Sequence, residues 1–388
     1  LKILFVHTSY RLKGGEDAVF ATEQAMLADN HDVLPLTFAN EMGIKGALQF
    51  LLSVWNVRAA RRLKEAIDQF KPDVVHVHNF HYALGPLVIR ICKKRGIPTV
   101  VTLHNYRLLC PSAILQYRGK IFTESLSESF PWTAIKLKVY RNSFFQTFWL
   151  AFVTWIHKKA GTWRSADRYI LLTDFAKDLF LKSNLRLEPS QLIVKPNFVE
   201  EISSKPQMRE SHFLFVGRLV EEKGVQVLLD AFVGSDQQLK IAGGGNLVEE
   251  LKLICDANPN IEYLGELDKP AVIDAMSKCT ALIFPSTWFE GMPMTILEAF
   301  SLGTPVIASN IGAMQTIIEN GFNGLHFNVG DSNALSQAVR YWAKMDERDK
   351  EKFGENAYQT FCQKYSRSRN EAQLVTIYES LTNNAVLD

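Results

Sequence analysis

Two spacings of apolar residues alternate along the first half of the chain. Residues 3–8 form a nearly continuous apolar, β-branched run, and residues 17–28 then carry apolar positions three and four apart. This pattern predicts a buried strand followed by an amphipathic helix. The alternation returns as strands at 33–36, 74–77, 98–103, 168–172 and 192–194, and as helices at 54–70, 84–95 and from about 174 onward. Repeated βα units predict a parallel sheet covered by helices. Residues 196–206 are polar and carry prolines, a linker pattern, and the alternation then restarts. Strands are expected at 212–216, 239–242, 261–264, 281–284 and 304–308, and helices at 225–232, 247–254, around 276, at 294–302 and at 314–320. The tail, 331–382, is helical in pattern, with breaks expected at Gly354 and near Ser366. The expected fold class is α/β: two successive doubly wound, Rossmann-like domains, 1–197 and 198–370, facing a central cleft. Ligands of such sheets bind beyond the carboxyl ends of the strands, so strand-end residues carry the functional information.

Residues 130–168 break the rhythm. Phe130, Trp132, Tyr140, Phe144, Phe145, Phe148, Trp149, Phe152, Trp155 and Trp163 crowd this segment, and seven cations stand against the single Asp167. Its uncharged stretch, 144–156, has 13 residues, short of the roughly 20 that a membrane-crossing helix needs. Two readings stay open. One is an interfacial helix docked on an anionic membrane; the other is a buried helix pair closing the N-terminal domain.

Length and composition narrow the class. The chain has 388 residues with 47% hydrophobic and 22% charged residues, the profile of a two-domain globular enzyme. The net charge of +2 hides an asymmetry: residues 1–199 carry 27 Lys+Arg against 15 Asp+Glu, and the remainder carries 16 against 26. A basic half points to an anionic ligand or surface. Nucleic acid is not expected, since no helix-turn-helix, zinc-finger or RNA-binding signature is present. Five scattered cysteines without a C-x-x-C pair fit a reducing compartment rather than a disulfide framework or zinc site. The N-terminal apolar run is too short for a signal peptide, and the location expected is cytoplasmic, with peripheral attachment to the cytoplasmic membrane face as a variant.

Candidate chemistry gathers at strand ends. Glu290 and Glu298 lie eight positions apart, with Gly291, Met292 and Pro293 between a strand and a helix. A strand–turn–helix of this kind aims backbone N–H groups and a helix dipole at an anion. Arg218 and Lys223 follow the strand ending at Gly217, and two cations near a helix start suit a diphosphate. His104 ends the strand at 98–103, where it could hydrogen-bond a substrate hydroxyl or leaving oxygen. Gly14 and Gly15 follow the first strand and would let backbone approach a crowded ligand. His76, His78 and His81 do not read as a metal site, because no Asp, Glu or Cys near them in sequence completes one. Gly243–Gly245 lacks the third glycine of a dinucleotide fingerprint. No Asp-x-Asp occurs in the chain, so no divalent metal or other cofactor is expected.

Taken together, these residues resemble the GT4 family of retaining glycosyltransferases, which have the GT-B fold. The resemblance runs through Gly14-Gly15, the Val74–His78 strand, Thr102-Leu-His104, Gly217-Arg218 to Lys223-Gly224, the turn at Gly243, Glu290 to Glu298, and Gly303 through Phe327. It implies that the substrate is a nucleotide diphosphate sugar and that Arg218 and Lys223 grip its diphosphate. Backbone N–H groups of Thr295 and Ile296 would assist them. Glu298 would bond the ribose, Glu290 with the Gly291 and Met292 backbone would hold the donor sugar, and the base would sit near Tyr263 and Leu264. His104 would position the sugar in a front-face reaction, with a covalent route through Glu290 as the minority alternative. The N-terminal half would bind a saccharide or lipid-linked acceptor, and the C-terminal helix, about 371–388, would pack back on it. A sugar phosphorylase or nucleotide-sugar epimerase of the same fold, and a non-catalytic carbohydrate- or lipid-binding relative, remain open.

Overall fold

A computed structural model describes residues 1–9, 14–202 and 208–383. The chain divides into two compact units. The first holds Leu1–Tyr117, Phe122–Asn197 and the chain from Asn370 onward; the second holds Arg118–Ile121 and Phe198–Arg369.

The first unit runs β1 (Lys2–Ser9), α1 (Gly15–Ala28), β2 (Asp32–Ala39), α2 (Gly43–Leu52), α3 (Val57–Phe70), β3 (Val74–Asn79), α4 (Leu87–Lys94) and β4 (Thr99–Leu103). A short hairpin follows, β5 (Gln116–Tyr117) and β6 (Lys120–Ile121), then α5 (Trp132–Lys136), α6 (Phe144–Lys159), β7 (Arg168–Leu171), α7 (Asp174–Lys182) and β8 (Leu192–Val194). Six strands form a parallel sheet in the order β2-β1-β3-β4-β7-β8. Its central strands are buried along both faces, as continuous apolar runs demand: Ile3, Leu4, Phe5 and Val6 have no solvent exposure. Helix α3 buries Ala59, Ala60, Leu63 and Ile67 and leaves Arg58, Arg61, Arg62 and Lys64 outside. This is the amphipathic stripe its spacing encodes.

The second unit contains β9 (Phe213–Val216), α8 (Val225–Phe232), β10 (Leu239–Ala242), α9 (Val248–Ala257), β11 (Ile261–Gly265), α10 (Lys269–Lys278), β12 (Ala281–Phe284) and α11 (Met294–Ser301). It continues with β13 (Val306–Ser309), α12 (Met314–Ile317), β14 (Gly324–Phe327), α13 (Ser332–Ala343) and α14 (Glu347–Lys364). The sheet order, β11-β10-β9-β12-β13-β14, is the doubly wound Rossmann order. Its direction of winding reverses between β9 and β12, so the loops after these two strands flank the topological switch point. The last helix, α15 (Arg367–Thr382), packs on the first unit. Leu374 and Tyr378 are fully buried there, and the Tyr378 hydroxyl lies 2.7 Å from His76 Nδ1.

Three expectations need correction. Helix α2 lies in a stretch for which no element was expected. The helix expected over 84–95 begins only at Leu87, with Pro86 as its N-cap. The break expected at Gly354 is absent: α14 runs through it, and the real interruption falls at residues 344–346. Gly354 instead lets α14 approach the end of α11, since a Cβ there would stand 2.7 Å from the Gly303 carbonyl oxygen. Among the described residues no helix is long and apolar enough to cross a membrane.

Helix propensity alone would make Gly354→Ala stabilising by about 1 kcal/mol. The backbone clash outweighs that gain, because overpacking costs about 1–3 kcal/mol. The variant should therefore melt below wild type in a urea titration, and a raised midpoint would refute the close contact.

Candidate active site

The second unit gathers its polar groups at the switch point. After β9 the chain makes the turn 217–224, and after β12 the loop 285–293. Gly224 has φ +72°, and a Cβ on it would lie 1.9 Å from the Pro285 carbonyl oxygen, so this position tolerates only glycine. Two contacts tie the loops together: the Thr287 N–H (3.0 Å) and the Thr287 hydroxyl (3.3 Å) both donate to the Glu222 carbonyl. The result places Lys223 Nζ 2.7 Å from Glu290 Oε1.

Glu290 is held tightly. The same Oε1 also accepts from the Ser286 hydroxyl at 2.8 Å and the Trp288 indole N–H at 2.6 Å. Lys223 lies 5.4 and 5.7 Å from the ring centres of Phe284 and Trp288, a cation–π setting that adds to the ion pair. The Lys223 and Glu290 side chains are 17% and 9% exposed, whereas Arg218 is 64% exposed and lies 3.8 Å from Glu222. Arg218 thus presents its guanidinium group largely to solvent. Glu298 projects from the first turns of α11 and pairs with Lys269.

The structure places the other expected donor-side residues as follows. A Cβ on Gly243 (φ +141°) would fall 1.9 Å from the Gly217 carbonyl oxygen, so the two turns touch. The Tyr263 hydroxyl donates to the Gly243 carbonyl at 2.8 Å and braces that turn. Leu264 and Met292 pack their side chains against the core, leaving backbone as the part able to meet a ligand. The Ile296 N–H already donates to the Pro293 carbonyl at 3.0 Å, which corrects the expectation that it points at an anion. The N–H of Thr295 has no partner among the described residues and faces the helix start with its dipole.

In the first unit, His104 follows β4 and is brought against His78, the end of β3. His78 Nδ1 and His104 Nε2 are 3.1 Å apart, with the rings stacked at 5.3 Å. Behind them Glu23 of α1 pairs with Lys195 at 2.6 Å, both without solvent exposure, and Lys195 also donates to Asn370 Oδ1 at 2.9 Å. Burial holds His76 and His78 well below the ordinary histidine range, and lowers His104 to about 4. Gly14 and Gly15 have open space beside their α-carbons. The Gly14 N–H is already bonded to Asp17 Oδ2 at 2.8 Å, closing a cap that also fixes Asp17 on His7 Nε2 at 2.9 Å. This corrects the expectation that the Gly14 amide is offered to a ligand.

The reason given against a metal also needs correction. Glu23 does join His76 and His78, and their ligand atoms lie within 4.8 Å of one another. The donor set nonetheless suits no cation. Both His76 nitrogens are bonded, to Tyr378 and Thr102, and the Lys195 ammonium already takes the place of positive charge beside Glu23. Sequence reasoning missed Glu23, Lys195, Ser286, Trp288 and Lys269. Ser286 and Trp288 had a usable signal, since they follow a strand end directly; the others converge only in three dimensions.

Residues 14–201 match the family profile described as Glycosyltransferase Family 4, and residues 199–360 that of Glycosyl transferases group 1. The chain belongs to the GT4 family of glycosyltransferases. An uncharacterized glycosyltransferase of Methanocaldococcus jannaschii is 30% identical over 220 residues, 56% of this chain and 61% of that protein. The UDP-Gal:alpha-D-GlcNAc-diphosphoundecaprenol alpha-1,3-galactosyltransferase of Escherichia coli is 26% identical over 305 residues, 71% of this chain and 68% of that one. The GT4 chain spans 61, 41 and 41% of the lengths of the first three curated relatives it matches. The structure of Anabaena HepE in complex with UDP and glucose superposes with a TM-score of 0.67 at 16% identity, over 98% of this chain and 99% of that one. That likeness speaks to the fold, which is GT-B.

The histidine cluster gives this GT4 chain a defined pH response. An unfolded histidine takes up a proton near pH 6.5, whereas folded His104 resists protonation to about 4. Between those values the unfolded state binds more protons, so stability falls as pH drops from about 6.5 toward 4. Urea midpoints should decline across this window, with a shallower decline in His104→Gln; a slope unchanged by that substitution would contradict the assignment.

Proposed function

We propose that this chain is a retaining glycosyltransferase that moves a sugar from a nucleotide diphosphate sugar to a saccharide or lipid-linked acceptor, in the assembly of a cell-surface polysaccharide or glycolipid. The observation that carries the reading is the convergence at the β9/β12 switch point: the Lys223–Glu290 pair, the exposed Arg218 fork and the start of α11 with the open Thr295 N–H. Arg218 and Lys223 would bind the diphosphate and stabilise the leaving group's charge. Lys223 keeps donors beyond the one aimed at Glu290, so one ammonium can join the phosphate to the sugar-binding carboxylate. Glu290, held in place by Lys223, Ser286 and Trp288, would bind sugar hydroxyls. Glu298 would serve the ribose once a hydroxyl competes with Lys269. The leaving phosphate would take the acceptor proton, and no metal or cofactor enters the scheme. Support for the substrate class comes from the Escherichia coli relative, whose name specifies a UDP sugar and a diphosphoundecaprenol acceptor, and from the UDP and glucose held by the Anabaena protein.

The acceptor side of the proposal rests on the first unit. A cavity of about 610 Å³ is lined by Met42, Phe50, Leu51, Phe145, Tyr140 and Arg141, among others. Apolar walls with a cation at the edge suit the lipid–phosphate junction of a lipid-linked acceptor. Next to it the 130–168 segment divides its surface. Helix α6 buries Thr147, Leu150, Ala151, Val153 and His157, and exposes Phe144 and Phe145 at its start; Trp132 is exposed on α5. The segment is therefore a packed pair of helices with an exposed aromatic end. That end, with exposed Lys136, Lys138, Arg141 and Lys159, would dock on an anionic membrane. Lys158 is excluded from this role, since its ammonium donates to Asn184 Oδ1 at 2.8 Å.

Incubation with a panel of nucleotide sugars should release one nucleoside diphosphate, and the product's anomeric configuration should match the donor's; an inverted product would overturn the mechanism. Glu290→Gln should lower kcat by roughly 100-fold while changing nucleotide Kd less than threefold, measured by calorimetry. Vesicle co-sedimentation tests the surface: charge reversal at Lys136, Lys138 and Lys159 should abolish binding to anionic liposomes, and unchanged binding would remove this segment from the proposal.

A further inference from the structure

We infer that Glu23 and His78 fix the tautomer of His104, so that His104 Nδ1 is a hydrogen-bond acceptor for a substrate hydroxyl. The inference rests on the transferase reading for the identity of the hydroxyl, and on the first unit's geometry for everything else.

The relay starts at Lys195. Its ammonium sits 2.6 Å from Glu23 Oε1, in a place without solvent, and forms a salt bridge with that carboxylate. Glu23 Oε2 faces His78 Nε2 at 3.5 Å, and neither atom has a hydrogen-bond partner among the described residues. In a low-dielectric interior an N–H at that nitrogen is attracted to the carboxylate, and a lone pair is repelled. Burial keeps His78 neutral, so it holds one proton, and the carboxylate draws that proton to Nε2. His78 Nδ1 is then a lone pair. It lies 3.1 Å from His104 Nε2, so His104 must be the donor in that bond. His104 is also neutral, which leaves its Nδ1 unprotonated. Among the described residues Nδ1 has no partner, and the ring is partly exposed at the carboxyl end of β4, where open parallel sheets bind ligands. The other titratable groups around it are His7 and Asp17, whose Nε2 and Oδ1 lie 2.9 Å apart, and Lys195, engaged with Glu23.

Two consequences follow for the reaction. His104 accepts from a sugar hydroxyl and cannot donate to a phosphate or leaving oxygen. Glu23 and His78 are positioning residues, acting through His104 rather than on the substrate.

Nitrogen-15 NMR of the histidine-labelled full chain at pH 7.5 tests this without any substrate. His104 should show an unprotonated Nδ1 and a protonated Nε2, and the opposite tautomer would overturn the inference. Glu23→Gln offers an isosteric reversal. Its amide oxygen can still accept from Lys195, while its N–H₂ faces His78 Nε2; His78 Nδ1 then donates, and His104 should switch to the Nδ1–H form. An unswitched His104 in the folded variant refutes the relay. If the variant does not fold, the wild-type tautomer decides alone. With an active donor in hand, deoxy and deoxyfluoro analogues at each sugar hydroxyl complete the test. At the hydroxyl that His104 holds, fluorine, which cannot donate, should lose as much kcat/KM as hydrogen, on the order of 10-fold or more. Retention by the fluoro analogue at every position would show that His104 donates. A chain that turns over no nucleotide sugar defeats the transferase reading and leaves the tautomer assignment standing.

Discussion

A lysine and a glutamate, both sealed from solvent, hold the first unit together. Burying each charge costs several kcal/mol even after relaxation. Lys195 and Glu23 offset this cost by a 2.6 Å contact and by further bonds from Lys195 to Asn370 and to the Pro196 carbonyl. These partners come from α1, the end of β8 and α15, segments far apart in sequence. The ion pair specifies their arrangement more than it adds net stability, because a well-packed apolar replacement would avoid the desolvation. Its orientation has a chemical consequence: with one carboxylate oxygen given to Lys195, the other is left for His78. A structural contact in the core would thus reach, through His78, the His104 ring at the carboxyl end of an interior strand.

Glu290 is a second carboxylate paired with a lysine, at almost the same distance, but in a different setting. Lys195 has no solvent contact, whereas Lys223 keeps 17% of its side chain exposed beneath two aromatic rings. The first pair is closed to ligands and acts through its neighbours. The second is open on one side, and its lysine retains donors. The backbone helps to fix the second pair in place. Glycines at 224 and 243 let the post-strand turns approach the Pro285 and Gly217 carbonyls more closely than any side chain would permit. Exposure, rather than charge alone, separates a structural ion pair from one suited to binding.

Much of this was legible in the sequence. Apolar runs of strand length alternating with helical spacing located nearly every sheet strand, because strands of a parallel sheet are buried on both faces and leave little freedom of composition. Strand-end positions then pointed to Arg218, Lys223, Glu290 and His104. What stayed hidden depended on distance in space. Glu23 looked like one more polar position on a surface helix, yet it is fully buried; only the arrival of Lys195 makes that tolerable. Gly354 was read as a helix breaker from propensity worth about 1 kcal/mol, but its neighbour across the helix interface sets its role.

Helix α2 also changes how the basic half is understood. The sequence directed attention to 130–168, where aromatic and cationic residues are dense. Once folded, much of α6 is packed, and the largest exposed apolar side chains lie elsewhere as well: Met42 and Ile44, with Leu48 on the same helix, at 61, 82 and 53% exposure. Helix α2 buries none of its residues fully. Such a helix stabilises little by its own packing, so its apolar residues are not explained by the core. Met42 borders the same cavity as Tyr140, Arg141 and Phe145, and Leu48 lines a second cavity that shares Glu41 and Gln49 with it. An apolar edge shared by α2 and the start of α6, with cations around it, is a coherent amphiphile-binding surface. Asn40, Glu41, Gln49, Tyr82, Arg107 and Gln146 also line the first of these cavities, so groups able to match hydroxyls stand beside the apolar edge. An acceptor with an apolar part and a hydroxyl-bearing part, as a lipid-linked saccharide has, would match both kinds of group at once within the proposed reaction.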